Sequence, residues 1–157
     1  MKSLPRIGAL YEEIDGHFDA ELDNAVAKGD TAAAQRIEQK QLLNDQAYFV
    51  LCWGQLEAEI DEACRTAIRQ RKASTNWDIR RGFDFYDPDD KRLSGLSFDR
   101  PVALILDRDS GPGKPYARVM AYYETRNKIA HGRLEATRID VSAVVADFYL
   151  IQGALTR

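Results

Sequence analysis

Apolar residues recur at steps of three and four along most of this chain, and this spacing constrains the fold more than any other feature. Positions with this spacing line up on one face of an α-helix. The clearest stripes cover 7–26, 49–67, 116–130 and 141–155. Strand-like alternation is absent outside 73–98. The pattern predicts an all-α fold: an antiparallel, up-and-down helical bundle of four main helices plus short additions.

Turn residues predict where the first two helices meet. Gly29 is expected to stop the first helix, and Asp30 or Thr31 to cap the next one. The second helix could then run to about residue 72, and Asn44-Asp45 is the one place where it could break or bend. Its segment 47–53 is apolar on every face and is therefore predicted to be buried centrally.

The segment 73–98 is the least regular part of the sequence. It mixes aromatic residues with acids and a proline, which predicts an ordered insertion with at most short helical turns. We expect its aromatic side chains to pin it to the bundle, with a base-stacking surface as the alternative. Capping residues then predict the ends of the later helices. Asp99 is expected to cap a short helix in which Pro101 is the first residue, and Pro115 is expected to begin a helix that ends at Gly132. Asp140 is expected to cap the last helix.

The overall composition is that of a globular protein with one domain, residues 1–157. No run approaches the length of a membrane span, and the N-terminus lacks the apolar stretch of a signal peptide, so a cytoplasmic location without membrane association is expected. Cys52 and Cys64 lie about 18 Å apart along one predicted helix, too far to form a disulfide with each other.

The charge distribution does not by itself indicate nucleic-acid binding. The net charge is −3, and the pI is about 5.4. A block of basic residues nevertheless follows the second stripe, and it consists of Arg65, Arg69, Arg71, Lys72, Arg80 and Arg81. The block is interpreted either as a solvated helix end, where cations are favourable, or as a patch that follows a nucleic-acid backbone.

The stretch Arg126-Asn127-Lys128-Ile129-Ala130-His131-Gly132 carries the clearest chemistry. The imidazole of His131 can take and give a proton near neutral pH. The guanidinium of Arg126 stays charged and suits phosphate oxygens. A proton shuttle beside a phosphate clamp is what cleavage of a phosphodiester requires.

This Arg-x4-His motif, with Asn127 directly after the arginine, resembles the signature of the HEPN superfamily (higher eukaryote and prokaryote nucleotide-binding domains). The resemblance implies a helical bundle and a homodimer in which two motifs converge in one cleft. It also implies RNA cleavage, which relatives carry out as toxins of toxin–antitoxin pairs or in phage defence, often restrained by a neighbouring antitoxin. In some relatives a tyrosine two residues after the histidine is modified. Here that position is Arg133, which departs from the pattern.

Helical geometry separates the two charged residues of the motif. Arg126 falls within about 20° of the apolar stripe that contains Val119, so it either lines a cleft or pairs with a carboxylate of another helix. Arg126 and His131 lie about 140° apart around a regular helix, whereas Asn127 and His131 share a face. A site composed of two copies across a twofold axis would bring the groups together better than one copy.

Other kinds of site find little support. His17 and Glu21 are four residues apart, but a metal site would need a third ligand, so His17 is predicted to be a surface residue. Gly113-Lys114 lacks the spacing of a phosphate-binding loop. We therefore predict no metal and no cofactor.

The sequence favours a metal-independent endoribonuclease in which Arg126, Asn127 and His131 are catalytic and the 2′-hydroxyl of RNA is the nucleophile. Two alternatives remain. One is a HEPN-like RNA-binding or dimerisation module without nuclease activity. The other is a helical dimer in which Arg126 and His131 are purely structural.

Overall fold

The computed structural model describes residues 1–89, 97–134 and 136–155. Within these ranges the chain forms helices and no strand. The prediction of an all-α fold with four main helices is confirmed, because two of the six helices are only seven residues long. In chain order the helices are α1 (Leu4–Ala27), α2 (Thr31–Lys72), α3 (Trp77–Phe83), α4 (Asp99–Ile105), α5 (Pro115–Ala130) and α6 (Val141–Leu155). The topology specific to HEPN domains stays a prediction.

The turn between α1 and α2 forms as predicted. Gly29 adopts a φ of 68°, a left-handed conformation that glycine reaches without steric cost. Its N–H donates to the carbonyl of Val26 at 3.0 Å, and the next N–H reaches back to Ala25 at 3.0 Å. Asp30 then caps α2, because its carboxylate accepts a bond from the N–H of Ala33 at 2.9 Å. These bonds satisfy backbone groups that both helix ends would otherwise leave unpaired.

The prediction that the second helix reaches about residue 72 is confirmed, because α2 runs from Thr31 to Lys72 without a break at Asn44-Asp45. The expectation for its central segment was wrong. The segment 47–53 is not buried on every face: Phe49 and Trp53 are buried, but Leu51 is 54% exposed. The apolar run therefore extends beyond the face that packs in the core.

The expectation that Asp99 caps α4 was also wrong. Phe98 occupies the N-cap position, and Asp99 is the first helical residue. Its carboxylate instead accepts a hydrogen bond from the hydroxyl of Ser97, which lowers the pKa of Asp99. Within the predicted insertion 73–98 the structure describes one short helix, α3, capped by the side chain of Asn76. Residues 90–96 of the insertion lie outside the described residues.

The chain divides into two compact units. The first unit comprises Met1–Gln55 and Tyr123–Tyr149. Its core includes Trp53, which is 1% exposed and has Phe148 edge-on at 6.4 Å between ring centroids. The ring of Tyr123 lies 6.1 Å from that of Trp53. Such aromatic pairs add about 0.5–1.5 kcal/mol beyond the area they bury, and here they fix the face of α5 just before the Arg-x4-His motif.

The second unit comprises Leu56–Tyr122 and Leu150–Arg157, of which the last two residues lie outside the described part. Its core includes Cys64 and Ile68, against which partly buried side chains of α3, α4 and the following turns pack. Among the described helices, none combines the length and hydropathy needed to cross a membrane.

Candidate functional site

The Arg-x4-His motif occupies the last turn of α5 and the residue that follows it. The guanidinium of Arg126, which is partly buried, donates from Nη1 to Oδ1 of Asn127 at 3.1 Å. His131 is the first residue beyond the helix, and its backbone N–H donates to the carbonyl of Asn127 at 3.0 Å. The structure therefore brings Arg126 and Asn127 together through their side chains and connects His131 to them through the backbone.

Gly132 ends α5 in the predicted left-handed cap. Its φ is 74°, its N–H donates to the carbonyl of Ile129 at 2.9 Å, and the N–H of Arg133 donates to Lys128 at 2.8 Å. This pair of bonds closes the helix end and fixes the backbone on both sides of His131. The His131 side chain is exposed on this fixed backbone, and its imidazole hydrogen-bonds to no other described residue.

Arg126 and His131 face different directions in one copy of the chain. Five residues of a helix turn the side chain by about 140°, and the burial agrees, because Arg126 is half-buried and His131 is exposed. Asn127 uses its amide oxygen on Arg126, so its amide nitrogen is the group left to donate to a substrate oxygen. One copy thus presents two donors on one side and an acid–base group on another.

A second cluster in the first unit was not predicted from the sequence. Asp45 of α2 is fully buried, and its carboxylate accepts two bonds from Arg138, from Nε at 2.8 Å and from Nη2 at 3.0 Å. The hydroxyl of Tyr11 on α1 donates to the same carboxylate at 3.0 Å. The paired charges and the hydroxyl satisfy a buried carboxylate that would otherwise be costly.

Burial and charge in this cluster shift two pKa values. Burial, followed by the hydrogen bond to Asp45, raises the pKa of Tyr11 well above its ordinary value. The hydrogen bond to Asp45 raises the pKa of Arg138, against the opposing effect of burial. Tyr11 therefore acts as a neutral donor and Arg138 as a permanent cation across the physiological pH range.

The cluster extends to the neighbouring acids of α1. Nη2 of Arg138 also donates to the carboxylate of Asp15. Gln41 of α2, only 2% exposed, donates from Nε2 to Asp19 at 2.7 Å and to Asp15 at 3.4 Å. Arg138, seven residues beyond His131, thus attaches the chain that follows the motif to α1 and α2.

A local signal for this cluster was present in the sequence. Gln41, Asp45, Phe49 and Cys52 follow one another at steps of four, four and three, so the two polar residues continue the buried line of α2. A carboxylate on that line requires a buried cation. Its partner could not be identified, because Arg138 lies 93 residues further along the chain.

The predicted basic block is used within the second unit. Arg65, Arg71 and Lys72 donate to backbone carbonyls, those of Pro88 at 2.5 Å, Leu104 at 3.0 Å and Tyr86 at 3.0 Å. Ion pairs at 3.1 Å join Arg69 to Asp89 and Arg81 to Asp78, and Arg80 donates to the carbonyl of Ser74. The four cations of α2 thus bind later parts of the second unit, and Arg80 and Arg81 bond within residues 74–81. This use of the cations inside the unit argues against the patch interpretation.

The aromatic residues of the insertion divide into two groups. Phe83 and Tyr86 pack against the core residues Cys64 and Ile68, as predicted. Trp77 is 58% exposed and Phe85 is 93% exposed. Acidic residues surround Phe85 in the sequence, so nothing at this position favours a nucleic-acid backbone.

The described residues provide no group of three or more potential metal ligands close enough to hold an ion. Cys52 and Cys64 are buried free thiols, and burial raises the pKa of each to about 11. His17 is exposed on α1, as predicted. Neither cysteine has the lowered pKa that a nucleophilic thiol needs at neutral pH.

Comparisons of the chain with protein-family models, with curated protein sequences and with solved structures give no match. The HEPN resemblance therefore depends on Arg126, Asn127 and His131 and on the all-α fold.

Proposed function

We propose that this protein is a metal-independent endoribonuclease that cleaves RNA at a site composed of two copies of the chain. The observation that carries the proposal is the end of α5. There the exposed imidazole of His131 lies beside a backbone fixed by the Gly132 cap, five residues after the half-buried guanidinium of Arg126, which is bonded to Asn127. These groups supply an acid–base catalyst and a phosphate clamp.

In the proposed reaction, His131 takes the proton from the 2′-hydroxyl, and the 2′-oxygen attacks the adjacent phosphorus. The bond from phosphorus to the 5′-oxygen breaks, and that oxygen takes a proton from water, while the protonated His131 returns its proton to the solvent. Arg126 stabilises the charge that develops on the phosphoryl oxygens, and the amide nitrogen of Asn127 donates to one of them. The products are a 2′,3′-cyclic phosphate and a 5′-hydroxyl.

The need for two copies follows from the angle between Arg126 and His131. A twofold axis near the end of α5 places Arg126 of one copy beside His131 of the other, so both halves of the chemistry meet at one phosphate. The proposed homodimer has its interface around the C-terminal half of α5. A regulatory partner of the antitoxin kind belongs to the same proposal and depends on the resemblance alone.

The competing function is an RNA-binding or dimerisation module without catalysis. The net charge of −3 and the internal use of the basic block favour it, because both weaken general attraction to RNA. This alternative retains Arg126 and His131 as interface residues.

The test is RNA cleavage by purified protein in the presence of EDTA. We expect single-stranded RNA to be cut and DNA to be left intact, because DNA lacks the 2′-hydroxyl. His131→Ala and Arg126→Ala should each lower the rate at least about a hundredfold while keeping the helical circular dichroism spectrum.

The outcomes separate the two functions. Cleavage of a fully 2′-O-methylated RNA would contradict the proposed nucleophile. RNA binding without cleavage, unchanged in the His131→Ala variant, would support the non-catalytic module.

A further inference from the structure

A cavity of about 400 Å³ lies between α2 and the part of the chain that follows the Arg-x4-His motif. Its volume is within the range of small-ligand pockets. One wall belongs to α2 and the other to residues five and seven positions after His131. The lining comprises Gln35, Glu38, Gln39, Gln41 and Leu42 of α2 together with Ala136 and Arg138.

A buried amide contributes a fixed acceptor to this cavity. Gln41 is 2% exposed, and its amide nitrogen points to the carboxylates of Asp19 and Asp15. Carboxylates only accept hydrogen bonds, so the nitrogen must face them, and the amide is held in one orientation. The oxygen Oε1 accepts no hydrogen bond from any residue in the described ranges and remains available to a ligand.

A guanidinium contributes a fixed donor. Arg138 uses Nε and Nη2 on Asp45, Asp15 and Tyr11, which immobilises its plane. Its Nη1 donates to none of the described groups, although the side chain is 42% exposed. The carboxylate of Glu38, on the exposed rim, likewise has no partner among the residues described and adds two further acceptor oxygens.

We propose that this cavity binds the guanine base of an RNA nucleotide next to the cleaved bond. The assignment to an RNA substrate rests on the proposed ribonuclease function. The Watson–Crick edge of guanine carries one acceptor, O6, beside two donors, N1–H and the 2-amino group. Arg138 donates to O6, and the oxygens of Glu38 and Gln41 accept from the two donors.

The same groups discriminate against the other bases. Adenine carries an amino donor where guanine has O6, so it would face the donor of Arg138. Uracil and cytosine lack the pair of adjacent donors that Glu38 and Gln41 can accept. The carboxylates of Glu38, Asp15 and Asp19 repel a phosphate, so the cavity suits a base edge, whereas the phosphate belongs at Arg126. Leu42 and Ala136 provide apolar contact for the ring faces.

The first experiment measures binding of 5′-GMP and 5′-AMP to the wild-type chain by isothermal titration calorimetry. The two probes carry the same phosphate, so any difference between them reports the base. We expect 5′-GMP to bind about tenfold more tightly, the effect of one well-made base contact. Glu38→Gln should remove the preference, and the matched control Glu13→Gln, an exposed acid of α1 outside the cavity, should keep it. Equal binding of the two nucleotides, or a preference that survives Glu38→Gln, overturns the proposal.

The second experiment maps the cleavage sites of an RNA pool. A guanine at one fixed position beside the cut, lost in Glu38→Gln but kept in Glu13→Gln, supports the proposal. Cleavage without any base preference overturns the guanine site and leaves the ribonuclease function standing. If no RNA is cut while the preference for 5′-GMP depends on Glu38, the ribonuclease function fails and the guanine site stands.

Discussion

The Asp45–Arg138 pair allows the most quantitative prediction about stability. Asp45 is fully buried, and its compensating cation is Arg138. Arg138→Ala would leave a buried carboxylate with only the hydroxyl of Tyr11 as a described partner. Removing one partner of a buried ion pair costs about 3–5 kcal/mol. Because Arg138 is 42% exposed, water can enter the vacated space, and we expect a loss of about 2–3 kcal/mol in the free energy of unfolding.

Equilibrium unfolding in urea, followed by circular dichroism at 222 nm, measures this loss. For a slope of about 2 kcal/mol per molar urea, the midpoint should fall by about 1–1.5 M. Arg133→Ala is the matched control, because Arg133 lies on the same exposed segment and should change stability by less than about 0.5 kcal/mol. Combining Asp45→Asn with Arg138→Ala should recover part of the loss, because the neutral amide needs no cation.

Two results would refute this reasoning. If Arg138→Ala shifts the midpoint no more than Arg133→Ala, the buried carboxylate does not depend on its cation. If the double variant is as unstable as the sum of the two single variants, the two side chains do not interact energetically.

Three further predictions follow from the network, the cap and the proposed dimer. The raised pKa of Tyr11 means that its phenol stays neutral above pH 10, so its contribution to stability is complete below that pH and is lost as the pH rises through the higher folded-state pKa. In a titration of tyrosinate absorbance at 295 nm, Tyr11→Phe should reduce the late component, to which the partly buried Tyr122 also contributes, and an unchanged curve would contradict the assignment. Gly132→Ala should lower the free energy of unfolding by about 1–2 kcal/mol, because its φ of 74° is strained for alanine even though the added Cβ meets nothing within 4 Å. The control Gly16→Ala, in the interior of α1 with equally open surroundings, should instead stabilise the protein by up to about 1 kcal/mol. Equal effects of the two substitutions in urea unfolding would rule out backbone strain. Mixing equal amounts of the Arg126→Ala and His131→Ala chains should restore about a quarter of the wild-type ribonuclease activity, because half of the dimers then contain one complete site where each wild-type dimer has two. No recovery after subunit exchange would exclude the composite site.

The sequence was most informative where structure depends on neighbouring residues. The helices follow from apolar spacing, and the caps at Gly29, Asp30, Gly132 and Asp140 follow from the conformational preferences and short side chains of those residues. The cap at Gly132 matters most for the proposed site, because it fixes the backbone beside His131. The cap of α4 was misassigned because the carboxylate of Asp99 accepts a hydrogen bond from the hydroxyl of Ser97, only two residues earlier, instead of capping the helix.

Long-range pairing was beyond the reach of local patterns. The periodicity of α2 predicted that its line of core positions would be buried, but Asp45 was interpreted as a possible break rather than as half of an ion pair. Leu51 shows the opposite case, an apolar residue on a face that the first unit leaves exposed. The motif residues Arg126, Asn127 and His131 were identified from chemistry and spacing, and their placement at the end of α5 agrees with the predicted helix.

The two buried thiols of α2 allow local opening of the protein to be measured by chemical labelling. Cys52 belongs to the first unit and Cys64 to the second, and each has a pKa of about 11 because of burial. A disulfide reagent reacts with the thiolate, so each cysteine should stay unmodified until its own surroundings open. Cys52→Ser leaves only the second unit to be labelled, and Cys64→Ser leaves only the first. Equal labelling rates in the two variants would indicate that the surroundings of both cysteines open together. Unequal rates would show which of the two cysteines becomes accessible first.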